Sequence, residues 1–482
     1  MNPQDFPHLR TRREFVRQAA CAAVGTLSIA STIRDLRFIN AAVAQGSLTD
    51  YKALVCVFLS GGNDCNNIIV PTGADYTNYA AARQNLALPE ASLLPLTSLN
   101  PDGHSYGLHP TMPEMQTLFS EQKMAMLFNV GPLVYPMTRA QYQAKSVPRP
   151  PQLFSHSDQV THWQTSLPDQ PPKTGWGGRI ADLMHPMQVD LVNGVPTSNS
   201  AKIALCTSVA GANTFEVGDT FAQYHVSTNG AVTLSSVNGS RLQAMKDILA
   251  IGDINLQRTA FAGVTKSAID TGDLLNTAIA PTSGASYWTS PFPTSSLGNQ
   301  LRMIARLIEA GPRPSTDANP GLNMKRQIFF CSVGGYDTHT AQVGTADPTI
   351  GTHANLLNEL SEAVFAFQRG MQQIGQANNV TLFTASDFGR TFPTNGQGSD
   401  HGWGSHHFIV GGAVRGGRTY GAFPALQVNG PDDTSTGRWI PRVSVDEYSA
   451  TLAKWFGVSA GDLSTVFPNI GHFAAPDVGF MG

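Results

Sequence analysis

A three-layer α/β/α core around a mostly parallel sheet is what this sequence predicts, and three observations predict it. Five short apolar runs end abruptly in Gly, Ser or Asp: "ALVCVFLSGGND" at 53–64, "KMAMLFNVG" at 123–131, "KRQIFFCSVGGYD" at 325–337, "NVTLFTASDFGR" at 379–390 and "HHFIVGGAV" at 406–414. None alternates with polar residues, the pattern of strands covered on both faces. Helical patterns lie between them, at 112–122, 296–311 and 353–375, and strand–helix alternation favours a parallel sheet between helical layers. With 482 residues, 41% of them hydrophobic, the chain can bury a large core.

Taken in order, the first element is a targeting segment. "TRREFVRQAACAAVGTLSIAS" places paired Arg12 and Arg13 before Phe15, Val16 and a modest run of small apolar residues, which reads as a twin-arginine export signal, with an ordinary basic amphipathic helix as the alternative. The run is too short and too weakly apolar for a stable membrane span. "AVAQ" at 42–45 offers a small-x-small cleavage site, so residues 1–44 are expected to be removed and 45–482 to form the mature protein. The expected destination is the bacterial periplasm or the exterior, reached through the twin-arginine (Tat) export machinery.

The mature chain has a net charge near zero and few charged residues, -3 and 13% for the whole sequence. With no Lys/Arg cluster outside the N-terminus, it carries no nucleic-acid footprint. Cys56, Cys65, Cys206 and Cys331 form no C-x-x-C pair, so neither a structural zinc site nor a disulfide framework is indicated. Residues 205–295 break the pattern with β-like and then helical stretches, read as a cap inserted into the core. Pro- and Gly-rich loops flank the helix pattern "SDQVTHWQT".

In a parallel sheet, ligands gather outside the carboxyl ends of the strands. Asp64, Asp337 and Asp387 stand just beyond three of the apolar runs, so three carboxylates are expected at one sheet edge, where a cation would relieve their repulsion. The last third adds His339, Arg390, Asp400, His401, His406 and His407. Oxygen and imidazole donors suit zinc or manganese, and an excess of carboxylates would shift the balance toward manganese or calcium. Any one of these aspartates could also be a turn residue or helix cap. His406 and His407 precede a strand and must face opposite sides, so one of them is structural.

"LSGGND", "SHSDQVTHWQT" before "GWGGRIAD", "GGYDTH", "SDFGR" and "DHGWGSHHFIVGGAVRGG" resemble, in order, the blocks of the exported bacterial proteins known as DUF1501, which belong with the alkaline phosphatase and sulfatase superfamily. The resemblance runs from about Lys52 to the C-terminus. It implies metal ligands at Asp64, Asp337, His339, Asp387 and His401 and hydrolysis of a small-molecule phosphate or sulfate ester; His406, from the residue cluster alone, is a further metal candidate. Phe388 stands where the resembling enzymes carry a metal-binding His, a departure from a complete two-metal site. The other implied reading is a catalytically silent binding or surface-assembly protein that keeps the fold.

In the enzymes this chain resembles the nucleophile usually lies at a helix N-terminus, which favours anions; the resemblance thus makes Ser155, ahead of a helix pattern, the candidate nucleophile, and its bland reading is a plain N-cap. Thr138 is the rival. His156 either positions the nucleophile or caps the helix. Arg390 and Arg179 are candidates for gripping the ester oxygens with paired hydrogen bonds, or else surface ion pairs.

Overall fold

The computed structural model describes residues 48–188, 191–192, 195–196, 200–231, 237–251, 255–280, 291–316 and 320–482. The export signal expected at 1–44 lies outside them.

All five apolar runs are strands of one central sheet. They are β1 (Lys52–Leu59), β2 (Met124–Gly131), β6 (Arg326–Val333), β7 (Val380–Ser386) and β8 (Ser405–Gly411). Between β2 and β6 the chain adds β3 (Cys206–Ser208), β4 (Tyr224–Ser227) and β5 (Gly230–Ala231), and after β8 it adds β9 (Arg418–Tyr420) and β10 (Val443–Ser444). The strand order is β5-β4-β3-β6-β1-β7-β8-β2-β9, with β10 also beside β2.

β1 pairs in parallel with both β6 and β7, and β6 with β3. The exception that matters is β8, antiparallel to both β7 and β2. Because β8 runs backwards, its amino-terminal entrance lies at the same edge as the carboxyl ends of β1, β6 and β7.

The alternation of β1 explains the layers, since successive side chains point to opposite faces. Ala53, Val55, Val57 and Leu59 join the large core cluster. Into that cluster pack α2 (Pro113–Ser120), α8 (Ser296–Ala310) and α9 (Thr352–Gln373) through Leu118, Leu301 and Leu360. Cys56 and Phe58 point the other way, toward Trp163 of α4 (His156–Thr165), Trp176 of α5 (Trp176–Met184) and Tyr448 of α10 (Val445–Phe456). A strand buried on both faces has no polar side to show, which is why its sequence does not alternate.

Two shorter helices matter to the site: α1 (Tyr76–Arg83) and α3 (Arg139–Ala144). The stretch expected as a cap is in part sheet edge, because β3 extends the sheet beside β6 and β4 and β5 follow it. The helices α6 (Gly239–Leu249) and α7 (Leu256–Ala278) come after, and Thr49–Gly482 form one compact unit. Among the described residues no helix is long and apolar enough to cross a membrane.

Candidate metal centre

The turn after β1 sets the geometry of the sheet edge. Gly61 has φ +117°, a conformation L residues rarely adopt, and a Cβ there would lie 2.5 Å from the Asp337 nitrogen. With no side chain in the way, its N–H donates to Asp387 Oδ1 at 3.0 Å and its carbonyl accepts from Arg390 at 3.1 Å. A Cβ on Gly62 would strike the Phe388 ring. The glycines of "LSGGND" therefore let three loops close on one another.

Four of the expected residues gather there. Asp337 follows β6, Asp387 ends β7, His401 precedes β8, and His339 lies two residues beyond Asp337. His156, at the first turn of α4, joins them. His156, Asp337 and His401 each offer a ligand atom within 4.8 Å of the others. Asp337 is the hub: its carboxylate lies 3.4 Å from His156 Nε2, 3.2 Å from His339 Nε2 and 3.3 Å from His401 Nε2.

The far nitrogen of every ring is held by an acceptor. His156 Nδ1 lies 2.7 Å from Asp387 Oδ2, His339 Nδ1 3.0 Å from Asp400 Oδ1, and His401 Nδ1 2.7 Å from the Phe154 carbonyl. A carbonyl or carboxylate oxygen only accepts, so each Nδ1 carries a hydrogen, and in its neutral form each ring turns an Nε2 lone pair inward. Anchoring one ring nitrogen to fix the other is the usual support of a metal-ligating histidine.

The inward nitrogens then have no hydrogen to share. His339 Nε2 and His401 Nε2 are 2.9 Å apart, and His156 Nε2 is buried with no hydrogen-bond partner. Lone pairs and a carboxylate facing one another repel unless a positive charge sits among them. The residues present thus fit a divalent cation.

The electrostatics agree. Burial pushes the Asp337 carboxyl up, but the Arg390 hydrogen bond and charge outweigh it and hold the pKa below the usual value. Burial, aided by the charge of Arg390, lowers the pKa of His401 and favours the neutral ring. Phe388 walls the site, with ring centroids 4.9 Å from His156 and 4.7 Å from His401.

Asp64 is not in this group. It is fully buried and ion-paired to Arg83 of α1, with further hydrogen bonds from Gln342 and Asn66. A guanidinium supplies the charge expected from a metal. Burial raises the Asp64 pKa, but Arg83, His353 and the Gln342 bond prevail, and the net shift is downward.

His406 is also elsewhere, packed between Phe128 and Phe423 with Nδ1 accepting from the Asn129 N–H. Burial lowers its pKa to about 3. His407 faces the other side, against Trp163 and Tyr448, so both histidines of the pair are structural.

Arg390 is not a surface residue. Its guanidinium is buried and holds Asp337 at 2.7 Å, the Gly61 carbonyl and the Ser399 carbonyl. Arg179 is likewise spent, on the carbonyls of Val466, Thr174 and Thr165. Thr138 forms a capping box with Gln141 on exposed α3. Ser155 occupies the N-cap position of α4 but makes no cap bond; its hydroxyl donates to Asp158 Oδ2 at 2.6 Å. Sequence reasoning missed Arg83 and the Phe154 carbonyl. A backbone acceptor leaves no mark in residue identity, and nothing in "YAAAR" distinguishes a buried partner from a surface arginine.

The profile of the family described as "Protein of unknown function (DUF1501)" matches residues 51–459. The chain belongs to the DUF1501 family. No protein of curated function matches it.

Solved structures similar to this DUF1501 chain include Ps i-CgsB in complex with k-i-k-neocarrahexaose, at 10% identity over 88% of this chain and 77% of that one, with a TM-score of 0.32. The Zn complex of the C-terminal periplasmic domain of EcEptC from Escherichia coli is 13% identical over 85% of this chain and 84% of that one, at 0.31. The PsFucS1 sulfatase from Pseudoalteromonas sp. is 10% identical over 90% and 72%, also at 0.31. Overlaps this low carry no argument about activity.

Proposed function

We propose that this DUF1501 protein is an exported, divalent-metal-dependent hydrolase of phosphate or sulfate esters. The observation that carries the reading is the convergence of three inward Nε2 atoms on Asp337, each ring locked at Nδ1 by an acceptor. His156, Asp337 and His401, with His339 beside them, would hold the ion. Imidazole nitrogens outnumber the inward carboxylate, a donor set that suits zinc better than calcium. When bound, such an ion supplies Lewis-acid activation of the ester oxygens and of water.

The chain's own residues do the rest. Asp387 orients His156, Asp400 orients His339, and Arg390 keeps Asp337 ionised and aimed inward. Phe388 excludes water from one side of the rings. Ser155 adjoins His156 in sequence, and its hydroxyl hydrogen is already directed at Asp158, so it is the candidate protein nucleophile.

Metal analysis of the purified mature protein, with assays on 4-nitrophenyl phosphate and 4-nitrophenyl sulfate, tests the reading. A bound cation and chelator-sensitive turnover are expected; protein that takes up no zinc, manganese or calcium would end it. Ser155→Ala is expected to abolish turnover if the serine attacks and to leave it intact if water does.

Phe388 favours a second reading, a silent binding protein, because it fills the place of a ligand in the resembling enzymes. Metal uptake without turnover on any mono- or diester would select it. Export is tested through Arg12 and Arg13: replacing both by Lys should leave the precursor inside the cell.

A further inference from the structure

Between α3 and α4 the chain curls around an open cavity of about 640 Å³, lined wholly by residues within 142–154. That volume is in the range of small-molecule sites. The loop is anchored: Tyr142, Leu153 and Phe154 pack against a core cluster containing Trp403 and Ile440. Phe154 has φ +75°, costly for an aromatic residue and kept only where surroundings demand it. Two contacts make that demand: its carbonyl accepts from His401 Nδ1 at 2.7 Å, and the Arg438 guanidinium lies 4.1 Å over its ring. One residue therefore forms a wall of the cavity and a support of the metal centre.

The charge of this loop is one-sided. From Gly131 to Ser157 the chain carries Arg139, Lys145 and Arg149 and no Asp or Glu. Arg139 is occupied by the Asp433 carbonyl and Asn429. Lys145 and Arg149 line the cavity and have no carboxylate partner among the described residues. The Arg149 guanidinium lies 4.8 Å over the Tyr142 ring. Stacking fixes the plane of a guanidinium and leaves its edge N–H groups to grip an oxyanion.

We propose that this cavity is a second anion subsite, in which Lys145 and Arg149 bind a further sulfate or phosphate group of a substrate whose hydrolysed ester lies at His156, Asp337 and His401. The substrate class is then a small oligoanion rather than a simple monoester, an inference that rests on the hydrolase reading above for the placement of the scissile group.

Calorimetric titration of metal-loaded protein with sucrose octasulfate, inositol hexakisphosphate and 4-nitrophenyl sulfate tests it. One of the two polyanions should bind about tenfold tighter or more than the monoanion, and whichever does names the ester. Lys145→Ala/Arg149→Ala should weaken that binding about tenfold, allowing for the exposure of both side chains, with metal content unchanged.

Equal affinity for mono- and polyanions overturns the proposal, as does an unaffected double variant. So does an equal loss in Arg415→Ala/Arg418→Ala, which removes two arginines outside the loop. Should the protein hold no metal and hydrolyse nothing, yet bind a polyanion through Lys145 and Arg149, the hydrolase reading falls and the subsite stands.

Discussion

Asp64 and Asp337 both follow strands of one sheet and both lie beyond a pair of glycines, yet they meet opposite fates. Asp64 is sealed from water and neutralised by Arg83, with Gln342 and Asn66 occupying its remaining acceptor positions. Asp337 is half exposed, and although Arg390 touches one oxygen, the imidazoles of His156, His339 and His401 face it with lone pairs. The first environment is complete within the chain. The second has Arg390 on one side but no charge for the three inward imidazole nitrogens. A buried carboxylate must find its counter-charge in the protein or give up its ionisation, whereas one open to solvent can wait for an ion. The difference separates a structural acid from a candidate ligand.

Removing the hub should break the comparison most clearly. Asp337→Ala is expected to abolish metal retention and to lower any hydrolytic turnover by about a thousandfold or more, as loss of a main transition-state support does. Asp337 is half exposed, but its partner Arg390 is buried and loses its carboxylate, so a stability loss of about 1–3 kcal/mol is expected alongside. Metal analysis and urea unfolding of the same sample separate the two effects.

Arg83→Met should do the reverse, costing about 3–5 kcal/mol of stability by leaving Asp64 buried and unpaired, read as a lower urea midpoint. The sign with pH follows from the direction of the shift. The Asp64 pKa is depressed in the fold, so the ion pair contributes its stability above the unfolded value of 3.8 and loses it as pH falls through the folded value. The gap between wild type and Arg83→Met should therefore narrow in acid. A gap that is constant with pH would show that the pair is not what Arg83 contributes.

Asp387→Asn is the subtler probe. It keeps the size of the side chain while weakening the acceptor that holds His156, and metal affinity should fall about 10–100-fold, the usual cost of losing such a support. An unchanged affinity would place His156 outside the ligand set.

Much of this fold was legible in the sequence because burial on both faces leaves a distinctive mark. Continuous apolar runs such as Val55–Leu59 and Ile328–Cys331 had no solvent face to record, and they lie in strands. The reversal of β8 was not legible, since strand direction leaves no trace in "HHFIVGG". Nor was the partnership of Asp64 with Arg83, which arises only when α1 folds back under the sheet edge. At the site, residue type found Asp337, His339, Asp387 and His401, because aspartate and histidine clustered at strand ends are chemically unusual. It misjudged His406, whose imidazole is buried among Phe128 and Phe423, since composition cannot tell a ligand from a ring packed in a core.

The backward course of β8 has a consequence for how the molecule is made. His401 reaches the sheet edge only as the chain enters that strand, long after the ribosome has released His156 and the first strand. The cage therefore closes only once segments from distant parts of the sequence have docked. In a refolding experiment, uptake of a divalent ion should accompany the burial of Trp163 and Trp176 rather than precede it, making the ion a reporter of finished tertiary structure rather than a seed for it.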